Sequence, residues 1–109
     1  MIYNKYDIVT VPFPFTESTS TKNRPALVIS TKKYQDFSNH CILCMITSAK
    51  HTSWDNDIEI VDLKGTGLCT PSKIRFKVFS LPINLINNKI GILDNHETLL
   101  VKSEIQEIL

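Results

Sequence analysis

Two short segments of the chain place polar side chains at the end of an apolar run, and these side chains are the first candidates for chemistry. Arg24 stands before Pro-Ala-Leu-Val-Ile, and Thr47 follows Met-Ile. Because a residue before proline is held in extended geometry, the guanidinium of Arg24 leaves the backbone in a restricted direction. It could meet a phosphate with two parallel hydrogen bonds, while Thr47 holds the same group through its hydroxyl or backbone N–H. A surface arginine and a strand-end threonine are the alternative interpretations of the residue types alone.

A group of cations lies at residues 73–78, where three cations alternate with three apolar residues. Successive side chains of a strand point to opposite faces, so this pattern predicts a basic face and a core face. Residues 1–80 hold ten Lys or Arg against seven Asp or Glu, a net +3, whereas residues 81–109 hold two against four, a net −2. The positive charge therefore coincides with the candidate residues, as a phosphate-binding surface requires. The cations are Lys73, Arg75 and Lys77, and the apolar residues are Ile74, Phe76 and Val78.

Three further candidates lie in the polar stretch after Thr47. His51 is a candidate for proton transfer, since imidazole is the side chain that ordinarily titrates closest to neutral pH. Trp54 is a candidate for stacking on an unpaired base, and Lys50 for contact with a nucleic-acid backbone. A solvated histidine and a tryptophan folded back on the protein are the alternatives that composition leaves open.

Cys41 and Cys44 have a C-x-x-C spacing that occurs in zinc and redox sites. They belong to an apolar run that reads as a buried strand, where residues three apart point to opposite faces. We therefore interpret both as core residues, and we expect neither a metal nor another cofactor.

The elements that must position these residues are mostly strands. The N-terminal region has no apolar stretch typical of a signal peptide, and no run is long enough to span a membrane, so we expect a cytoplasmic protein without membrane contact. A chain of 109 residues fits a single domain over residues 1–109. Short apolar runs between turn signals predict strands at about residues 6–12, 25–31, 41–47, 57–62, 73–79 and 89–93.

The last segment of the chain predicts a helix over residues 94–109 that packs on the sheet. Asp94 can cap it and Glu97 completes a capping box, although Ser103 offers an alternative later start. A turn or a single helical turn is expected at 82–88. The apolar stripe predicted to face the core consists of Leu100, Val101, Ile105, Ile108 and Leu109.

Four short blocks follow one another along the chain: Asp-Ile-Val-Thr-Val-Pro-Phe-Pro-Phe at 7–15, Arg-Pro-Ala-Leu-Val-Ile-Ser at 24–30, Ile-Thr-Ser at 46–48, and Gly67-Leu68 followed by Ser72 and Arg75. In that order and spacing they resemble the MazF/PemK family of toxin ribonucleases. The resemblance implies a small SH3-like barrel of the CcdB/MazF/PemK type with a C-terminal helix. It also implies a homodimer that is neutralised by a MazE/PemI-like antitoxin peptide and binds DNA together with it.

The activity implied by this resemblance is that of an mRNA interferase, a sequence-specific, ribosome-independent endoribonuclease acting on single-stranded RNA. Metal-independent attack by the 2′-hydroxyl would leave a 2′,3′-cyclic phosphate and a 5′-hydroxyl. Arg24 and Thr47 match the family's catalytic pair. Arg75 matches the arginine of the PemK branch, but Lys77 stands where that branch has an acid. The resemblance therefore does not assign the general base.

The remaining candidates follow from the resemblance and from the chemistry of the side chains. Further catalytic or phosphate-binding candidates are Ser48, Arg75 and His51. The predicted RNA contacts are Phe15, Thr16, Lys22, Lys50, Trp54, Lys73 and Lys77; the first three border or belong to a Ser/Thr-rich loop expected to close over RNA. A gyrase-binding toxin like CcdB, or a catalytically silent SH3-like binding module, are the alternatives with the same fold.

Overall fold

Six antiparallel strands form one curled sheet in the order β4-β5-β3-β2-β1-β6, and two helices accompany it. The computed structural model describes residues 2–13 and 22–109, so Phe15, Thr16 and most of the predicted loop lie outside the described residues. The mostly β architecture with a C-terminal helix is confirmed. The elements are β1 Asp7–Phe13, β2 Lys22–Val28, α1 Lys32–Ser38, β3 His40–Ser48, β4 Ile58–Ile60, β5 Ser72–Pro82, a 3₁₀ turn Ile83–Leu85, β6 Asn88–Ile92 and α2 Asn95–Ile108.

Strands β1, β2 and β3 bury both of their faces, each face in a different apolar cluster. Leu43 is fully buried in one cluster while its neighbour Cys44 is fully buried in the other. Cys41 lies in the same cluster as Leu43, so the prediction that the two cysteines point to opposite faces is confirmed. Burial raises the pKa of the Cys44 thiol to about 12, as expected for a core cysteine.

Helix α2 begins where the sequence predicts, but a different stripe faces the core. Asp94 caps it by accepting hydrogen bonds from the backbone N–H groups of His96 and Glu97, at 2.8 and 3.1 Å, so the later start at Ser103 is wrong. Val101 is fully buried, and Glu97, one turn before it, is also buried. Ile105 packs partly on the same cluster. The predicted stripe is wrong at its other three members, Leu100, Ile108 and Leu109, which are exposed.

Helix α1 was not expected, because strand β2 was predicted to continue to residue 31. Instead β2 ends at Val28, and Thr31 caps a helix of seven residues by accepting a hydrogen bond from Tyr34 N–H at 3.1 Å. Its buried side chain is the polar Gln35, which binds the backbone N–H and C=O of Tyr3. Apolar periodicity therefore could not reveal it. Neither helix in the described ranges is long and apolar enough to cross a membrane.

A bulge interrupts β5 within the predicted alternation of cations and apolar residues. On β3, Cys44 pairs with Val78 but the next residue, Met45, pairs with Arg75. Ile74 and Phe76 are buried as predicted, whereas Val78, beyond the bulge, is 41% exposed, so its predicted core position is wrong. A bulge disturbs the regular pleat on which the prediction relied.

Candidate active site

The candidate site lies where the sheet splits between β2 and β3. These strands pair from Val28–Leu43 to Ala26–Met45, after which β2 continues to pair with β1 and β3 continues to pair with β5. The split begins at Pro25, which has no N–H to donate to a neighbouring strand. The same proline therefore extends the backbone at Arg24 and marks the point where the sheet opens beside it.

A cleft of about 480 Å³ occupies this split. The predicted catalytic pair Arg24 and Thr47 lines it together with Ser48 and His51, so four of the five predicted catalytic or phosphate-binding residues meet in one place. The fifth, Arg75, is not among the residues that line the cleft. The remaining walls are formed by Thr10, Pro25, Met45, Ile46, Gly67, Leu68, Cys69, Thr70, Ser72 and Ile90.

Thr47 and His51 are directly bonded, with 2.6 Å between Oγ1 and Nδ1. The turn after β3 creates this contact: His51 N–H donates to the carbonyl oxygen of Ser48 at 3.1 Å, and Lys50 N–H donates to the Ser48 hydroxyl at 3.2 Å. Either partner can donate in the Thr47–His51 bond, depending on the imidazole tautomer. The Ser48 side chain helps to form the turn, whereas the Thr47 and His51 side chains face the cleft as a pair.

Arg24 is exposed at the edge of the cleft. Its backbone pairs with Val11 of β1, and no side-chain hydrogen bond or ion pair joins it to another residue in the ranges 2–13 and 22–109. Nearby, Asn23 on β2 is fixed by a 2.6 Å hydrogen bond from Asn87, just before β6. The guanidinium therefore has a fixed backbone, and among the described residues nothing occupies its donors, which suits the binding of a ligand anion.

Lys73 and Arg75 form hydrogen bonds inside the protein and do not make up an open basic face. Lys73 is 2% exposed; its Nζ donates to the carbonyl oxygen of His51 and, at 2.8 Å, to the Ser53 hydroxyl. Arg75 donates to the carbonyl oxygen of Thr52 and forms an ion pair with Asp57, with 2.9 Å between Nη2 and Oδ2. The expectation of three cations sharing one exposed face is therefore wrong.

Asp57, whose side chain is 4% exposed, is the site residue that the sequence did not reveal. Burial alone would raise its pKa, but hydrogen bonds from Arg75 and from Trp54 N–H, with the charges of Arg75 and Lys73, lower the pKa overall. Asp57 therefore stays ionised between two cations. Asp57 stands at the start of a predicted strand, and its partner Arg75 is 18 positions away, so no local pattern could have singled it out.

The other predicted RNA contacts are distributed around this region. Trp54 stacks on Arg75, with 4.8 Å from the guanidinium carbon to the ring centroid, and remains 46% exposed. Lys22, Lys50 and Lys77 are exposed. Their roles in RNA binding stay predictions. Within the described part of the chain, no group of three or more His, Cys, Asp or Glu side chains is arranged to hold a metal ion.

Gly67 forms a wall of the cleft that admits no side chain. Its φ is +75°, and a Cβ atom there would lie 2.2 Å from the carbonyl oxygen of Ile90. Glycine therefore permits both the left-handed backbone and the close approach of β6. The Gly67-Leu68 block thus contributes a wall to the cleft that Arg24 and Thr47 also line.

Comparison with known proteins now decides the family. The family model of PemK-like, MazF-like toxins of type II toxin-antitoxin systems matches residues 4–109. The chain belongs to this toxin family. The resemblance inferred from the ordered blocks is thus confirmed. No curated protein sequence matches the chain significantly.

Solved structures agree with the family at the level of the fold. A MazE-MazF crystal structure from Deinococcus radiodurans is 15% identical, with a TM-score of 0.77 over 99% of this chain and 96% of that chain. The Mycobacterium tuberculosis toxin MazF-mt6 is 16% identical, with a TM-score of 0.73 over 93% of each chain. A mycobacterial endoribonuclease in complex with its cognate antitoxin is 7% identical, with a TM-score of 0.72 over 95% and 89%. This toxin therefore has the MazF-type fold.

Proposed function

We propose that this toxin is an endoribonuclease that cleaves single-stranded RNA at specific sequences, without a ribosome and without a metal ion. The observation that carries the proposal is that Arg24, Thr47 and His51 line one cleft, with Arg24 open to a ligand and the other two hydrogen-bonded at 2.6 Å. Family membership supports the same activity. The three side chains supply a cation for a phosphate, a hydroxyl to orient it and a group that can transfer a proton.

In the proposed reaction the 2′-hydroxyl oxygen forms a bond to the adjacent phosphorus, and the bond from phosphorus to the 5′-oxygen breaks. Arg24 stabilises the charge that develops on the non-bridging oxygens. When Nδ1 of His51 donates to Thr47 Oγ1, Nε2 is the unprotonated nitrogen and accepts the proton of the 2′-hydroxyl. The Thr47 hydroxyl then has its own proton available for a phosphate oxygen. The 5′-oxygen takes a proton from solvent water as it leaves, His51 later returns its extra proton to solvent, and the products are a 2′,3′-cyclic phosphate and a 5′-hydroxyl.

The proposal is tested by incubating the purified protein with a long RNA in EDTA and analysing the ends of the fragments. We expect an unchanged rate, cyclic phosphate and 5′-hydroxyl ends, and no cleavage where the scissile nucleotide is 2′-deoxy. Activity that requires added magnesium would overturn the mechanism. RNA binding without cleavage would instead favour the silent SH3-like module, and gyrase binding would favour the CcdB-like alternative.

The role of His51 can be separated from a structural role by chemical rescue. We expect His51→Ala to lower the single-turnover cleavage rate about 100-fold or more, since general base catalysis typically contributes that much. Imidazole added to the buffer should restore part of this rate in His51→Ala and have no effect on Arg24→Ala. A His51→Ala rate equal to that of the wild type would leave the base unassigned.

We also infer the partners from the family. A homodimer in the cytoplasm, a MazE/PemI-like antitoxin peptide and joint binding to DNA are the expected assembly. Support comes from the description of the family as a toxin-antitoxin component and from the relatives solved as MazE-MazF and endoribonuclease-antitoxin complexes. If a small protein is encoded beside this toxin, its co-expression with the toxin, followed by gel filtration and a DNA shift assay, tests the whole assembly.

A further inference from the structure

We propose that Lys73, Arg75 and Asp57 are positioning residues that hold the β3–β4 loop, residues 49–57, on strand β5 and thereby fix His51 beside Thr47. The inference rests on the proposed function in one respect, that Thr47 and His51 act on RNA. It assigns Lys73 and Arg75 a role inside the protein, in place of direct contact with the RNA backbone.

Lys73 holds the backbone of His51 from the neighbouring strand. Lys73 is the register partner of Thr47, and its Nζ donates to the carbonyl oxygen of His51. The ring of the same histidine is bonded to Thr47. His51 is therefore fixed at two points, its carbonyl by β5 and its ring by β3. A lysine that is 2% exposed has no surface to offer a phosphate, but its donors suit this internal role.

Arg75 and Asp57 close the far end of the same loop. Nε and Nη2 of Arg75 both donate to the Asp57 carboxylate, at 3.3 and 2.9 Å, in the paired geometry that a phosphate would otherwise occupy. Nη2 also donates to the Thr52 carbonyl oxygen, and Trp54 covers a face of the guanidinium. One arginine thus contacts the loop at three residues, which is the arrangement of a structural clamp.

The competing explanation is that Arg75 contacts the scissile phosphate and that Asp57 only orients it. The two explanations differ in what the loss of Asp57 does. If Arg75 acts through the loop, Asp57→Asn and Arg75→Ala break the same clamp, and combining them adds little. If Arg75 binds RNA, the two substitutions act differently, and only Arg75→Ala changes the salt dependence of RNA binding.

The first part of the test uses the free protein, so it does not depend on RNA cleavage. Histidine ring resonances in NMR spectra report on His51, which is assigned by comparison with His51→Gln, and the single tryptophan of the chain, Trp54, reports on the loop. Lys73→Met should shift the His51 ring resonances but leave those of the other two histidines in place. Arg75→Ala should increase acrylamide quenching of Trp54 fluorescence.

The second part compares single-turnover cleavage by Arg75→Ala, Asp57→Asn and the double variant at saturating RNA. Each single variant should lower the rate about 10-fold to 100-fold, as small misplacements of a catalytic group do, and the double variant should be no slower than the slower single one. Lys102→Met is the control, because it removes an exposed charge on α2, away from the cleft and from the residues of the clamp.

Each outcome decides between the explanations. Unshifted His51 resonances in Lys73→Met, together with unchanged Trp54 quenching in Arg75→Ala, would overturn the positioning role. So would additive rate effects with a flatter salt dependence for Arg75→Ala alone. If the wild-type protein cleaves no RNA, the proposed function fails, and the free-protein spectra still decide whether these residues fix His51. Should Lys73→Met fail to fold, Asp57→Asn takes its place in the NMR measurement.

Discussion

Arg24 and Arg75 are the two arginines of this toxin, and the structure treats them in opposite ways. Arg24 is exposed at the edge of the cleft, with no side-chain partner among residues 2–13 and 22–109. Arg75 is ion-paired with Asp57, bonded to a loop carbonyl and stacked on Trp54. In the sequence both arginines occur in blocks that resemble catalytic blocks of the family. The donors of Arg75 are occupied inside the protein, whereas those of Arg24 have no partner in the described part of the chain.

The partners of a cation, rather than its place in a motif, indicate what it does. A guanidinium with an open donor set can lose water to a ligand phosphate and gain charge-assisted hydrogen bonds. A guanidinium already paired with a carboxylate must first break those bonds. Arg75 is therefore expected to contribute to folding and to loop geometry, and Arg24 to binding and catalysis.

The largest expected effect is the loss of RNA cleavage caused by Arg24→Ala. We expect the single-turnover cleavage rate to fall about 100-fold to 1000-fold, as when a donor to a developing oxyanion is removed. The thermal midpoint should change little, because the Arg24 side chain is exposed. Arg24→Lys should restore little activity, since an ammonium cannot reproduce the two parallel hydrogen bonds.

Thermal unfolding measured alongside the kinetics supplies the control for Arg24. If Arg24→Ala lowered stability and activity in parallel, Arg24 would be a structural residue and the contrast with Arg75 would disappear.

The second largest effect is on the free energy of unfolding, which Arg75→Ala should lower more than Arg24→Ala does. Arg75→Ala leaves the Asp57 carboxylate buried without its main partner, which we expect to cost about 2–3 kcal/mol of unfolding free energy. Urea denaturation of the two alanine variants measures the difference. Arg75→Lys should recover part of the loss through its charge. A cost for Arg75→Ala as small as that for Arg24→Ala would contradict the internal role of Arg75.

The ion pair also predicts a pH dependence that Arg24 does not share. Because the pKa of Asp57 is lowered below its ordinary 3.8, its ion pair stabilises the fold fully above that value. This stabilisation is lost as the pH falls through the lower pKa of the folded state. Acidification below about pH 4 should therefore raise the exposure of Trp54 in the wild type. In Asp57→Asn, fluorescence quenching should already be raised at neutral pH and respond less to acid.

Much of this architecture could be predicted from local sequence. Period-two runs located the strands, and Asp94 located the start of α2, because both signals depend on neighbours along the chain. The ordered blocks brought Arg24 and Thr47 to one family site, and the structure adds that they share a cleft. His51 was a candidate only by its chemistry, and its contact with Thr47 depends on a turn that the sequence does not specify.

The sequence predictions were wrong where contacts with residues far along the chain determine the structure. The buried polar Gln35 anchors α1 through Tyr3, a residue 32 positions away, so no local pattern showed the helix. The alternation in β5 predicted equal exposure for its cations, but Lys73 finds acceptors in the β3–β4 loop and becomes buried. A bulge then moved Val78 out of the core. Contacts between segments far apart in sequence cannot be inferred from period two alone.

The smallest expected effect distinguishes the two lysines of β5, and it applies the contrast between the arginines to weaker contacts. Lys77 is exposed and Lys73 is 2% exposed, although both were predicted to contact RNA. If Lys77 meets one phosphate, Lys77→Ala should reduce the log-log salt slope of RNA binding by about 0.7, the value for one contact on a single strand. Lys73→Met should leave the slope unchanged, because the charge of the buried Lys73 does not reach the RNA.

Lys102→Ala, on the exposed side of α2, is the control for a general loss of charge. Fluorescence anisotropy with a short labelled RNA across a salt series measures all three slopes. A slope that flattens equally for Lys73→Met and Lys77→Ala would place both lysines on the RNA and end the distinction between internal and ligand-facing cations on this strand.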